Sequence, residues 1–367
     1  MPAKYRVAVI GHTGRGNWGH GLDTFWRMMP ECEVAAVADA DPAGLAKAAD
    51  RLHTKKAYAD WRKMLDEVKP HVISICPRHP DQHAEMAIGA AQRGIHVFLE
   101  KPFCQNLEQA DQIVAAFEKN NVKLALAHQT RYSPRVQAVR DLIMDDKLGT
   151  ILELRGRGKE DHRGGGEDLW VLGSHVLNLM NVFGGEAHSC FGRVLQNGHR
   201  VTAADVAPGN DGLGPLAGDA VHAMYAMDDG VTGYFSSVKN MTGKPWRFGL
   251  QIFGSKGVVE IVTGYLPEVS FLPDSSWSPG RTASKWLPVT SAGVNKPETY
   301  EDGGHEAGNV AAVRDLLSAI EEDRQPECSM YEGRHTIEMI AGVFESHRQN
   351  APVKLPLENR KNPLTML

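Results

Sequence analysis

A glycine-rich turn, Gly11-His12-Thr13-Gly14-Arg15-Gly16-Asn17-Trp18-Gly19, stands directly after a short apolar run, Tyr5 to Ile10. From there, runs of this kind alternate with helix-length segments. Val34 to Ala38, Val72 to Ile75, Val97 to Leu99 and Leu124 to Ala127 are further runs rich in branched residues, while Trp18 to Met29, Asp81 to Gln92 and Leu107 to Lys119 have helical spacing. Asp41-Pro42 is a helix-start pair with proline at the first helical position. Parallel strands need a crossover, and helices of this length supply it. Residues 1–128 are therefore expected to form a doubly wound parallel sheet of the Rossmann type.

The turn then has a chemical reading. Missing side chains let a backbone approach the phosphates of a dinucleotide, whose charge meets a helix N-terminus. Gly14, Gly16 and Gly19 form a literal GxGxxG, and a second register uses Gly11, Thr13 and Gly16. Gly11, Thr13, Gly14, Arg15, Gly16 and Asn17 are the expected cofactor contacts of the turn. Asp39 ends the second run 20 residues after Gly19, where an acid can grip ribose hydroxyls. A strand-end carboxylate in solvent, or a helix cap, is the plainer alternative, with Asp41 the better cap. An acid at this place repels a 2′-phosphate, so NAD is expected over NADP.

Lys101 follows the fourth of these runs and precedes a proline, which constrains its backbone. At the carboxyl end of a strand in an open α/β sheet it faces the cofactor crevice. An ammonium there can hold a substrate hydroxyl and stabilise the oxyanion that develops in hydride transfer; a surface lysine paired with Glu100 is the alternative. Taken with these features, Pro77, His83, Glu100-Lys101-Pro102, Thr130-Arg131-Tyr132, Gly173-Ser174-His175 and Pro352-Val353-Lys354-Leu355-Pro356 give the chain a resemblance to the Gfo/Idh/MocA oxidoreductases over nearly its whole length. The resemblance implies an NAD-dependent oxidoreductase acting on a secondary alcohol of a sugar, sugar acid or polyol. It implies that Lys101 is catalytic, that His175 is an acid/base or substrate ligand, and that Pro77, His83, Glu100 and Lys101 contact the cofactor. It also makes Arg131 a substrate contact.

His175 lies off the apolar stripe Leu169, Leu172, Val176, Leu179 and Phe183, beside Asn178. A neutral imidazole suits proton removal near pH 7, although a structural histidine is the ordinary finding on a helix. Many sugar and inositol dehydrogenases of the family carry an aspartate four residues earlier, and this chain has Val171. Asp168 is two turns away, about 10.5 Å along a helix, so the proton relay is expected to differ. Two further readings stay open: NAD-dependent glycoside cleavage through a transient keto-sugar, and a cofactor-binding regulator without catalysis. In Gly158 to Asp168, six charged residues and a histidine stand among glycines that include three in a row, Gly164 to Gly166. Lys159, Asp161, His162, Arg163 and Asp168, with His175 and Asn178, are candidate substrate contacts; a solvated loop with Asp168 capping the helix is the alternative. No spacing there matches a metal-ligand motif, and no metal is expected.

From Gly149 the pattern changes to strands joined by hairpin turns such as Asp228-Asp229-Gly230 and Gly254-Ser255-Lys256-Gly257. Residues 129–350 are expected to form an α+β domain with a largely antiparallel open sheet, followed by a tail, 351–367. Ser189 to Leu195 and Ala220 to Met227 are among its strands, Asp205 to Asp219 and Pro267 to Thr299 its long loops, and His305 to Glu322 and Tyr331 to Gln349 its late helices. The resemblance makes the uncovered sheet face a subunit interface, in a homodimer or homotetramer. The formal net charge of -5 and the scattered basic residues argue against nucleic acid. No run of 18 apolar residues suggests a membrane span. Five separated cysteines make neither a disulfide framework nor a zinc site, and Met1 to Arg6 do not read as a signal peptide. A cytoplasmic enzyme with a small carbohydrate substrate is the expectation.

Overall fold

The computed structural model describes residues 5–367, and the reading of the N-terminus as free of a signal peptide falls largely on Met1–Lys4, outside the described residues. Two compact units divide the chain. The first runs to Gln129 and also takes in Asn210–Gly214 and His305–Arg334; the second comprises Thr130–Gly209, Pro215–Gly304 and His335–Leu367. The expected span 129–350 is therefore interrupted twice by segments that pack with the first unit.

In the first unit, strands β1 (Tyr5–Ile10), β2 (Cys32–Ala38), β3 (Ala57–Tyr58), β4 (Val72–Ile75), β5 (His96–Leu99) and β6 (Leu124–Leu126) pair in the order β3-β2-β1-β4-β5-β6. Every pairing is parallel, the strand order of a dinucleotide-binding sheet. Helices α1 (Pro42–Arg51), α2 (Trp61–Val68), α3 (His83–Ala91) and α4 (Leu107–Asn120) make the connections. Asp41, Asp60 and Asn106 cap three of them, accepting from Gly44, Arg62 and Gln109 amides at 2.6, 2.9 and 2.9 Å. Residues of β1 and β4 to β6 are almost all buried, as both faces of a parallel sheet require.

One expected helix is missing. Between the glycine turn and β2, residues 18–24 are turns, and only Phe25–Met28 form a single 3-10 turn. Gly19 and Gly21 adopt φ of 63° and 75°, left-handed values that interrupt a right-handed helix. Phe25 and Trp26 still bury their rings, so the apolar spacing was real but served a compact turn.

The second unit begins with α5 (Pro134–Met144), β7 (Ile151–Arg157), α6 (Gly166–Val171), α7 (Gly173–Gly184) and β8 (Ala187–Gln196). Short strands β9 (His199–Arg200), β10 (Ala207–Pro208) and β11 (Pro215–Leu216) precede β12 (Ala220–Met227), β13 (Thr232–Val238), β14 (Gly249–Gly254), β15 (Gly257–Val262) and β16 (Val269–Leu272). A short helix α8 (Pro279–Thr282), then β17 (Leu287–Thr290), β18 (Gly293–Val294), α9 (Gly304–Glu321), α10 (Met330–Gln349) and β19 (Val353–Lys354) complete the chain's elements. The large sheet runs β18-β17-β16-β15-β14-β7-β13-β12-β8-β19. Its pairings are antiparallel except β7 with β13. The helical stretch expected from Asp168 to Phe183 is broken at Leu172 into α6 and α7. Helix α7 lies close on the sheet because a Cβ on Gly156 would come within 2.6 Å of Val176 Cγ1. The opposite face leaves Phe191, Met224 and Tyr234 exposed. Residues 351–367 are no loose tail: β19 pairs with β8, and Leu355, Leu357 and Leu364 are buried.

Candidate active site

Parallel register sets the level of three loops. Ile10 pairs with Ile75 and Ile75 with Leu99, so Gly11, Cys76 and Glu100 leave the sheet side by side. The β1/β4 boundary is where the strand order reverses, and ligands of open α/β sheets bind there. Gly14 (φ 80°) has open space where a Cβ would stand, whereas a Cβ on Gly16 (φ 78°) would meet the Arg78 amide at 2.4 Å. The turn thus presents bare backbone while packing against the loop after β4. This open cradle fits a dinucleotide phosphate, although no α-helix N-terminus stands behind it, contrary to the sequence expectation.

Other turn residues hold the loop's shape. Asn17 Oδ1 accepts from Gly14 N at 2.9 Å, and the main chains of His12 and Asn17 bond to each other. Arg15 is ion-paired with Asp81. Asp39 is 2% exposed, accepting from Thr13 N at 3.1 Å, Thr13 Oγ1 at 2.6 Å and Asp41 N at 3.0 Å. A carboxylate has about four lone-pair sites, so Asp39 is already engaged in shaping the turn.

Glu100 is fully buried. Its Oε1 accepts from Lys101 N at 3.1 Å, and its Oε2 accepts from His20 N at 3.1 Å and faces His20 Nδ1 at 3.0 Å. Burial pushes the carboxyl up, but the charge and hydrogen bonds of His20, aided by Lys101, outweigh it and hold the group below its ordinary value. Lys101 is 5% exposed; a cation so placed demands polar company. His83, buried, has Nε2 at 2.7 Å from Pro77 O and Nδ1 at 2.8 Å from Pro102 O, tying the loop after β4 to that after β5. Burial pushes this imidazole down, against the pull of the two carbonyls.

In the second unit, His175 is half-buried on the first turn of α7 and Asn178 is buried one turn on. Val171, 9% exposed, ends α6. Arg131, half-buried, lies in the 3-10 turn Gln129–Tyr132. Asp168 is turned inward: fully buried, its Oδ2 accepts from Glu160 N at 3.0 Å and from Ser237 Oγ. Burial raises its carboxyl above the ordinary value. Asp161 is bound by Arg163, whose Nη2 reaches Oδ2 at 2.6 Å, and this holds the acid down at about 2. Lys159 Nζ lies 4.1 Å from the Trp246 ring centre, while the His162 side chain is 79% exposed. Of the expected substrate contacts in this loop, Asp161 and Arg163 satisfy each other and Asp168 braces the loop from inside. No cluster of potential metal ligands occurs among the described residues, and no helix among them is long and apolar enough to cross a membrane.

Residues 5–128 match the family model described as oxidoreductase family, NAD-binding Rossmann fold, and residues 140–355 match that of its C-terminal alpha/beta domain. The chain belongs to the Gfo/Idh/MocA oxidoreductase family. Among relatives of this Gfo/Idh/MocA oxidoreductase, levoglucosan dehydrogenase of Pseudarthrobacter phenanthrenivorans is 25% identical over 87% of this chain and 89% of that protein. The trans-1,2-dihydrobenzene-1,2-diol dehydrogenase of Xenopus tropicalis is 26% identical over 88% of this chain and 91% of that protein. Myo-inositol 2-dehydrogenase of Thermotoga maritima is 25% identical over 41% of this chain and 44% of that protein. A solved levoglucosan dehydrogenase in complex with NADH and L-sorbose shares the fold with a TM-score of 0.77 at 21% identity, over 96% of this chain and 99% of that one.

Sequence reasoning did not count His20 or Asn309 among the expected site residues. Asn309, fully buried on α9, donates from Nδ2 to His20 O at 3.1 Å and accepts from Gln129 Nε2 at 2.9 Å. It also missed that Asn210–Gly214 returns to the first unit of this Gfo/Idh/MocA enzyme. There Asp211 pairs with His79 at 3.2 Å and Gly212 O accepts from Gln105 Nε2 at 2.7 Å. Nothing in local spacing announces such contacts, since the partners stand 80 to 289 residues apart for His20 with Glu100 and Asn309.

Proposed function

We propose that this NAD-binding oxidoreductase oxidises a secondary alcohol of a sugar, sugar acid or polyol. The observation that carries the reading is a buried lysine, Lys101, just past β5, the strand beside β4 at the strand-order reversal, its main chain held by an ionised, buried Glu100. NAD, when bound, supplies the hydride acceptor. Gly11, Thr13, Gly14, Arg15, Gly16 and Asn17 would line its phosphates, with the bare Gly14 leaving room for close approach. Asp39 disfavours a 2′-phosphate by charge. Lys101 orients the substrate hydroxyl and stabilises negative charge on its oxygen as the bond to hydrogen is lost, a contribution largest in a site that excludes water. His175 is assigned the hydroxyl proton and Arg131 a substrate contact by the family resemblance. Relatives named for levoglucosan, inositol and dihydrodiol oxidation support a polyhydroxylated or vicinal-diol substrate. We also assign the exposed face of the large sheet to contact with a second copy of the chain.

The test is a screen of levoglucosan, free sugars, uronates, inositols and aryl glycosides with NAD, following NADH absorbance and released aglycone together. Stoichiometric NADH supports the dehydrogenase reading, and aglycone release without net NADH replaces it with transient oxidation. Lys101→Ala is expected to lose at least a hundredfold in turnover, the scale of removing one preorganised charge stabiliser, while NADH still binds. Near-normal turnover in that variant refutes the assignment.

A further inference from the structure

We propose that His20 and Asn309 are positioning residues for Lys101, acting through Glu100. The inference rests on the catalytic assignment of Lys101 above and adds what sets that lysine in place. Family resemblance counts Glu100 among the cofactor contacts, yet its carboxylate is spent on this chain. One oxygen takes the Lys101 amide and the other takes the His20 amide and ring. Glu100 is thus a staple between the loop that presents Lys101 and the exit of the glycine turn.

Two further observations point the same way. A Cβ on Gly19 would stand 2.6 Å from Glu100 Oε2 and 2.5 Å from Cys76 O. The absence of a side chain there is what lets the staple close. Asn309, in turn, buries its amide within α9 beside Val310, Ala312 and Val313, where an apolar residue would avoid the cost of desolvation. Both ends of that amide are used, one on the His20 carbonyl and one on Gln129. The chain Gln129–Asn309–His20–Glu100 therefore runs to the Lys101 amide through hydrogen bonds of 2.9 to 3.1 Å.

The staple has an electrostatic side as well. Lys101, His83 and Cys76 surround Glu100, and the His20 ring packs at 5.2 Å against His305 of α9, near Glu306. Removing the imidazole leaves a buried carboxylate with only main-chain partners, and its ionised form loses support. Lys101 then loses a constant neighbouring charge and part of what fixes the carboxylate on its main chain.

The experiment is a double-mutant cycle in the full chain, with levoglucosan or myo-inositol as substrate, whichever the screen turns over. His20→Leu is expected to lower kcat about tenfold, a barrier change of about 1.4 kcal/mol, with the NADH Kd moved less than threefold. His20→Gln, which keeps a donor for Glu100, should recover most of that loss. Asn309→Asp, which removes the donor to the His20 carbonyl at nearly unchanged volume, should lie between them. In the Lys101→Ala background His20→Leu should cost nothing further, because it acts through the residue already gone. Additive losses, or a glutamine variant no better than leucine, overturn the proposal. A Lys101→Ala enzyme with normal turnover instead removes the catalytic assignment, and the positioning role falls with it; the single variants tell the two failures apart.

Discussion

Replacing Gly44 with alanine sets two effects of opposite sign against each other. Gly44 sits in the first turn of α1, and alanine is the better helix former by about 1 kcal/mol in a helix interior. Propensity alone therefore expects a more stable protein. The added Cβ, however, would lie 1.9 Å from Thr13 Oγ1, 2.6 Å from Thr13 Cβ and 2.9 Å from Asp39 Oδ2. Ordinary contact begins near 3.4 Å, so the hydroxyl must retreat far enough to break its 2.6 Å bond to Asp39. A hydrogen bond to a charged group contributes roughly 1.5–3 kcal/mol, and overpacking typically costs about 1–3 kcal/mol more. The sum exceeds the helix gain, and a net loss of about 3 kcal/mol is expected. Thr13 belongs to the turn assigned to the phosphates, so NADH binding should weaken about tenfold, the equivalent of roughly 1.4 kcal/mol. Thermal unfolding and a fluorescence titration with NADH measure the two effects. A variant that melts higher than the parent and binds NADH unchanged would show that the Asp39–Thr13 contact does not shape the turn.

Acid should expose the loop after β7. Hydrogen bonding from Arg163 holds Asp161 at about 2, so its contribution is complete above the ordinary carboxylate range near pH 4 and lost as pH falls toward 2. Urea midpoints of the parent and Arg163→Gln should therefore differ at pH 7 and converge between pH 4 and 2; a constant difference contradicts the pairing. Glu298, held at about 2 by Ser291 and Arg135 in spite of burial, should behave alike in Arg135→Gln. At micromolar concentration light scattering is expected to give a dimer or tetramer. Tyr234→Glu with Met224→Glu, on the exposed sheet face, should yield monomer that keeps its circular dichroism; a parent that is already monomeric dismisses the interface.

The parallel sheet of the first unit could be read from residues because its information is local. Val72 to Ile75 or Val97 to Leu99 carry their burial in their composition, and Asp41-Pro42 carries its own cap. Helix formation from Trp18 to Met29 failed for an equally local reason, overlooked in favour of apolar spacing: two glycines at positive φ forbid it. The Val171 anomaly and the Lys101 signature were visible as types at positions. What Asp39, Glu100 and Asp168 do was not, because a carboxylate near a ligand and one holding a loop look identical in a sequence.

Local periodicity and short motifs along the chain thus sufficed for the fold class and the family, and pointed to Lys101 as a candidate. Folding alone brought His20, Asn309 and Gln129 behind that lysine, buried Asp168 against Ser237, and returned Asn210–Gly214 to the first unit. The reason is physical. Burial and hydrogen bonding depend on which atoms share a volume, and residues hundreds of positions apart meet only once the chain has closed around them.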